Sequence, residues 1–346
     1  MRRSMDKHSA ALILEVICLC ILCLAPGVSA QQLLPPFRQV VYQGSFRGKY
    51  VWVSPKWHNG YLYAWRHDPP PSDQTENIVV YDRNDKLFGK ARILVEDESA
   101  LRIADVDVSS DGAVAAVGWA ITKWDALESY LAVVSMPAGT VHVIETSPFD
   151  GRAVTFAPDG TIWVLGLESG GPDPSVRKAP DHFMVQHFGA DGTLKGQYLR
   201  RSEFPCGSHP ALSGNGAMSQ ISATADRIGI FAPACRMWVE LGPDGKLLGH
   251  WRWDRPLFGS QDDTWNDILR VTLTPTNDLY ATTRNSSSDH RLVRFDRESS
   301  TWLPVDISAA DAAALPLGPL EGADGDSLVY LSTGKRLVWV KLHATP

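Results

Sequence analysis

The sequence predicts an all-β fold, a ring of six four-stranded antiparallel blades, on three observations. Strand-like runs follow one another almost without a break, the same turn chemistry returns in phase with them, and helix signals are almost absent. The best-formed stretch is RAVTFAPDGTIWVLGLE, from Arg152 to Glu168. It alternates, turns at Pro158-Asp159-Gly160, and continues with aliphatic and aromatic residues. That is a hairpin, because glycine supplies the positive φ of a tight turn. One hairpin cannot bury its own apolar face, so repetition decides the architecture.

The chain repeats the unit. KYVWVSP, GYLYAWRH, NIVVYDRND and LFGKARILVE form a first group; LRIADVDVSSDG, AVAAVGWA, SYLAVVSMPAG and TVHVIET form a second. The opening hairpin with HFMVQHFGADG and TLKGQYLRR is the third. AMSQISATADR, IGIFAPA, RMWVELGPDG and KLLGHWRW make the fourth, and ILRVTLTPTND, LYATTR, RLVRFDRESS and TWLPVD the fifth. SSDG, APDG, TPTND and GADGDS separate first from second strands, while MPAG, GADG, GPDG and DRESS separate third from fourth. Four-stranded units returning about every 50 residues are the blades of a β-propeller.

The ends of the chain complete each other. The sixth group has only GPLEGADGDS, LVYLST and KRLVWVKL, and RQVVYQGSF (Arg38–Phe46) precedes the first group without partners. Pairing that strand as the outer strand of the last blade closes the ring and removes an open edge. The expected organisation is therefore one propeller domain over residues 31–346, with SAADAAALPL (Ser308–Leu317) the one short helical turn.

Residues 1–30 read differently. MRRSMDKHSA carries charge, ALILEVICLCILCLA is mainly apolar, and PGVSA places Val28 and Ala30 at −3 and −1 of a cleavage site. A signal peptide cleaved after Ala30 is expected, which puts the mature protein in the periplasm or outside the cell. A retained N-terminal anchor is the alternative, although Glu15 interrupts the run and it is short for a span. After cleavage no stable membrane span is expected. The mature chain keeps only Cys206 and Cys235 of five cysteines. In an exported protein two cysteines read as one disulfide, with two unpaired thiols the alternative. A net charge of −6 and no long Lys/Arg block exclude a phosphate-tracking surface, so no nucleic acid is expected as partner.

On the repeat and its PDG-type turns, the mature chain resembles the six-bladed propellers of the NHL-repeat, TolB-like and SMP-30/gluconolactonase type. The resemblance implies a fold that hosts hydrolases, lactonases, lyases and interaction modules. The SMP-30 lactonases hold a central divalent cation with a Glu/Asn/Asn/Asp set, and of that set Glu321 and Asp267 are the partial candidates in this sequence.

Propeller geometry puts the loops between second and third strands, and those between blades, on one face. Here those loops are long and chemically rich, so the site is expected there. Cys206 and Cys235 fall on that face, which favours their pairing. Asp262, Asp263, Trp265 and Asp267 combine carboxylates with an aromatic ring, suited to a cation, a sugar or acid–base work. The plainer reading makes the first two solvated loop residues and Asp267 a turn cap. Trp124-Asp125 is a similar pair. His209 and His290, with His67 and His182, share the face without the spacing of a metal site, so no metal ligand is assigned. Arg284 and Arg236 suit an anionic ligand or plain surface charge. Trp163, Trp238 and Trp339 occupy strand positions suited to blade packing, and Asn285-Ser286-Ser287 is a glycosylation sequon.

The chain contains no GxSxG elbow, metal-spaced His cluster or Gly-rich phosphate loop. The expected function is binding or scaffolding of a protein, small-molecule or carbohydrate ligand, without cofactor. The alternative is a metal-dependent hydrolase or lactonase of SMP-30-like type, with a divalent cation at the central channel.

Overall fold

A computed structural model describes residues 40–42, 55–66, 76–84, 86–95, 98–122, 127–168, 181–204, 206, 218–253, 267–284, 290–305, 320–331 and 337–341. Twenty-four strands form six four-stranded antiparallel sheets. Blade 1 holds β2 (Lys56–His58), β3 (Tyr61–Trp65), β4 (Ile78–Asp82) and β5 (Leu87–Ala91). Blade 2 holds β6 (Glu98–Val108), β7 (Val114–Thr122), β8 (Leu127–Ser135) and β9 (Thr140–Glu145). Blade 3 is β10 (Phe149–Phe156), β11 (Ile162–Glu168), β12 (Phe183–Phe188) and β13 (Leu194–Arg200). Blade 4 is β14 (Gln220–Ala223), β15 (Ile228–Ala232), β16 (Met237–Leu241) and β17 (Leu247–Arg252). Blade 5 is β18 (Asp267–Leu273), β19 (Leu279–Arg284), β20 (His290–Asp296) and β21 (Thr301–Pro304). Blade 6 takes β22 (Leu320–Asp324), β23 (Ser327–Leu331) and β24 (Leu337–Lys341), and β1 (Val40–Tyr42) pairs with β24 as its fourth strand. The N-terminal strand therefore closes the ring.

The core is divided among the blade interfaces. Val106 and Val108 of blade 2 pack with Tyr63 and Ile78 of blade 1, and Ala115 and Val117 of blade 2 pack with Val154 of blade 3. Trp163 packs with Ile221 and Ile230 between blades 3 and 4. Trp238 packs with Val271 and Val293 between blades 4 and 5, and Tyr280 with Leu328 between blades 5 and 6. Trp57 and Val329 join blade 6 to blade 1. Each sheet thus buries both faces against its neighbours. Trp163 and Trp238 are fully buried as expected, whereas Trp339 is only partly buried, its ring edge-on to Trp57 at 4.7 Å.

The turns behave as their residues require. At Pro158-Asp159-Gly160 the glycine has φ +82°, and the Asp159 carboxylate accepts the Thr161 N–H at 3.0 Å and its hydroxyl at 2.7 Å. The first described strand of blade 1 is Lys56–His58; of the expected run KYVWVSP, residues 49–54 lie outside the described residues. The two-residue Asn59-Gly60 turn, with φ of 51° and 86°, fixes that hairpin. Trp57 is then buried at the interface with blade 6, and Lys56 and His58 line the central channel. The stretch Ser308–Leu317 lies outside the described residues.

Cys206, after the last strand of blade 3, is disulfide-bonded to Cys235, in the loop between β15 and β16, with a Cα separation of 5.8 Å. The bond closes a sequence separation of 29. Under the chain-entropy account such a loop contributes about 3–4 kcal/mol through the unfolded state. The double replacement Cys206→Ser with Cys235→Ser is expected to lower stability by about that amount, read as a shifted urea midpoint. An unchanged midpoint would show that the bond constrains nothing.

Candidate functional site

The first strand of each blade lines the central channel, and as the edge of its sheet it presents unpaired backbone groups there. Side chains of the preceding blade meet them. Asp105 accepts the Val154 N–H at 3.1 Å, and Asp107 accepts the Phe156 N–H at 2.7 Å. Gln220 accepts the Val271 N–H at 2.8 Å. In the other direction the Asn59 amide donates to the Val108 carbonyl at 2.9 Å. Buried backbone polar groups must find partners, and this chain supplies them from side chains of the preceding blade, about one repeat earlier.

Bulges aim the charged residues. The register slips between Ile103 and Asp105, between Ile268 and Arg270, and between Leu320 and Gly322. A bulge re-directs the side chains beside it, and here Asp105, Arg270 and Glu321 are those residues. Lys56 pairs with Asp105, and Arg270 with Glu321. The His58 Nδ1–H donates to Asp107 at 2.9 Å, and the Tyr63 hydroxyl donates to the same carboxylate at 2.8 Å.

The electrostatics follow from that packing. Burial works to lower the His58 pKa, but the Asp107 charge and hydrogen bond outweigh it, and the net shift is upward. For Asp107, burial works to raise the pKa; His58, the Phe156 N–H and Tyr63 overcome it and hold the carboxyl below its ordinary range. Burial pushes the Tyr63 phenol well up, helped by Asp107 and Asp105. Each partner thus favours the charged form of the other, the His58 cation and the Asp107 anion.

These residues line a cavity of about 410 Å³ reaching the short turns at Asn59-Gly60, Pro158, Ala225, Pro275 and Gly325. Its size is within the range of ligand pockets. The cavity lies at the tight-turn end, so Pro158 belongs to its lining, although the sequence placed that turn away from a site.

The residues named from sequence distribute otherwise. Trp124, Asp125, His209, Asp262, Asp263 and Trp265 lie outside the described residues, as do His67 and the sequon at Asn285. The backbone register aligns Asp267 with Arg284, and Arg284 with His290, in one row at the end of blade 5. His182 is buried, and Arg236 is the left-handed residue ending a short 3-10 turn (Pro233–Cys235). Glu321 does reach the channel. There Arg270 holds one of its oxygens, Lys56 neutralises Asp105 and His58 holds Asp107. Each channel carboxylate thus already faces a protein cation that a divalent ion would have to displace, a donor set that does not fit such an ion. Among the described residues no group of three or more His, Cys, Asp or Glu has the geometry of a metal site.

Sequence reasoning missed Lys56, His58, Tyr63, Asp105, Asp107 and Arg270. The signal was present. In IADVDV two aspartates alternate with apolar residues in a strand read only as core, and Lys56 and His58 stand one repeat earlier.

No protein-family model matches the chain, and no curated protein matches it in sequence. Among solved structures, it is similar to a protein described as exported from Bacteroides fragilis, at 12% identity and TM-score 0.52, over 92% of this chain and 98% of that one. It is also similar to virginiamycin B lyase from Staphylococcus aureus, at 10% identity and TM-score 0.43, over 89% and 99% of the two chains. A luciferin-regenerating enzyme matches at 14% identity and TM-score 0.46, over 89% and 98%. The likeness is one of propeller fold.

The His58–Asp107 pair, flanked by Lys56 and Tyr63, makes stability depend on pH. A raised His58 pKa contributes fully below about pH 6.5 and fades as pH rises through its folded value. A lowered Asp107 pKa contributes above about pH 4 and is lost as pH falls. In thermal unfolding, the advantage of the native protein over His58→Gln is therefore expected to peak between about pH 4 and 6.5 and to shrink on either side. A difference constant across pH would contradict the ion pair.

Proposed function

We propose that this propeller is exported and acts outside the cytoplasm as a binding module, taking a small molecule or a segment of a partner in its central channel. The observation that carries the reading is the cavity of about 410 Å³ whose carboxylates each face a protein cation, His58 at Asp107, Arg270 at Glu321 and Arg83 at Asp324. A catalytic carboxylate or base needs a free lone pair aimed at substrate. Asp107 orients His58 as it would a base, but the same carboxylate raises the His58 pKa and so favours its protonated form. Among the described residues His58 hydrogen-bonds to no serine or cysteine. The disulfide fits an oxidising compartment, and the apolar N-terminal segment ending at Ala30 has the layout of a signal peptide.

Two measurements test the two halves. N-terminal sequencing of the protein recovered from its native compartment is expected to begin at Gln31, and a chain starting at Met1 would refute cleavage. Metal analysis after exhaustive dialysis is expected to find no stoichiometric divalent ion. One tightly held cation per chain would replace the binding module with the metal-dependent hydrolase reading.

A further inference from the structure

The channel sorts its charges by depth. The Lys56, His58 and Arg270 side chains are 19%, 29% and 20% exposed, against 10%, 5% and 0% for Asp105, Asp107 and Glu321. The cations stand in front and the carboxylates behind them.

Hydrogen-bonding capacity is sorted the same way. Asp107 spends its two oxygens on His58, Tyr63 and the Phe156 N–H. Asp105 spends its own on Lys56 and the Val154 N–H. Gln220 gives its carbonyl oxygen to Val271, which leaves its amide hydrogens. An ammonium has three donors and a guanidinium five. Among the described residues Lys56 uses one on Asp105, and Arg270 uses one nitrogen, Nη1, on Glu321. Protonated His58 keeps its Nε2–H, with no partner among the described residues. At the Lys56, His58 and Arg270 face the cavity therefore offers charged N–H donors in excess, while Asp324, paired with Arg83 at 3.7 Å, and the Ser222 and Thr272 hydroxyls supply acceptors elsewhere on its wall.

We propose that this cavity holds a small molecule through an oxyanion, a carboxylate or phosphate group, seated against Lys56, His58 and Arg270. The proposal rests on the reading of the channel as a ligand site and names the chemical class of ligand. Charge-assisted bonds from three cations are the strong kind, and a concave wall with little solvent strengthens them. A cationic ligand would meet those same three groups. A neutral sugar would gain no charge-assisted bonds from those three cations, whereas an oxyanion gains one from each. The neighbouring Ile221, Val271 and Leu273 leave room for a compact apolar body on the anion.

The test is titration calorimetry on the mature protein at low ionic strength, with citrate and inorganic phosphate as separate probes and trehalose and spermidine as neutral and cationic comparators. Saturable binding of at least one anion is expected, with neither comparator bound. Citrate alone would mark a carboxylate ligand, and phosphate alone a phosphate ester. His58→Gln keeps an amide N–H for Asp107 and removes the charge, so it is expected to weaken the anion tenfold or more. The double variant Arg270→Gln with Glu321→Gln leaves neither charge buried alone and is expected to do the same; circular dichroism verifies that each variant is folded. Wild-type protein that binds neither anion, or binding that both folded variants retain in full, overturns the proposal. Saturable trehalose binding instead would overturn it while leaving the binding module standing, whereas a tightly held divalent cation would strike the module itself.

Discussion

The bond between a channel side chain and the exposed edge of the next blade is the constraint on which much of this structure depends. A propeller turns six sheet edges toward one axis, where no further strand can pair with them. Asp105 and Asp107 solve this for blade 3, and Gln220 for blade 5. The partners stand 49 to 51 residues apart, which is the length of the repeat itself. The apolar interfaces supply most of the burial, but they leave neighbouring blades free to slide. Directional bonds at the axis set how the blades sit against one another.

That solution creates the site. A carboxylate that accepts a backbone N–H in a confined channel is costly unless a cation neutralises it. Lys56 and His58, on the first strand of blade 1, do so for the aspartates of blade 2, and Arg270 does so for Glu321 across blades 5 and 6. Asp105 and Asp107 lie deep because they reach a strand edge, and their counter-ions Lys56 and His58 are left to face the cavity. The donor-rich surface follows from stabilising a closed ring. Glu240 shows the same economy away from the axis, where Arg227, Arg297 and the Trp238 N–H converge on one fully buried carboxylate.

Much of the architecture was legible along the chain. Alternation marked the runs, the PDG-type turns marked where they reverse, and the unpartnered stretch Arg38–Phe46 announced closure through Val40–Tyr42. Cys206 and Cys235 could be paired because loop topology put both on one face. The short strand Lys56–His58 of blade 1 was not legible, because three residues leave too few positions for periodicity to register.

By itself the sequence determined the class of fold, the number of blades, the closure and the disulfide, since each depends on local pattern or on counting. Only the tertiary structure decided which polar residues meet. Lys56, His58, Asp105, Asp107, Arg270 and Glu321 come from four blades, and nothing in the spacing within any one strand distinguishes them from solvated charges. Their convergence requires the ring to be closed and the bulges to be in place. Electrostatic pairing across distant segments depends on position in space, and position at the axis is a property of all six blades together.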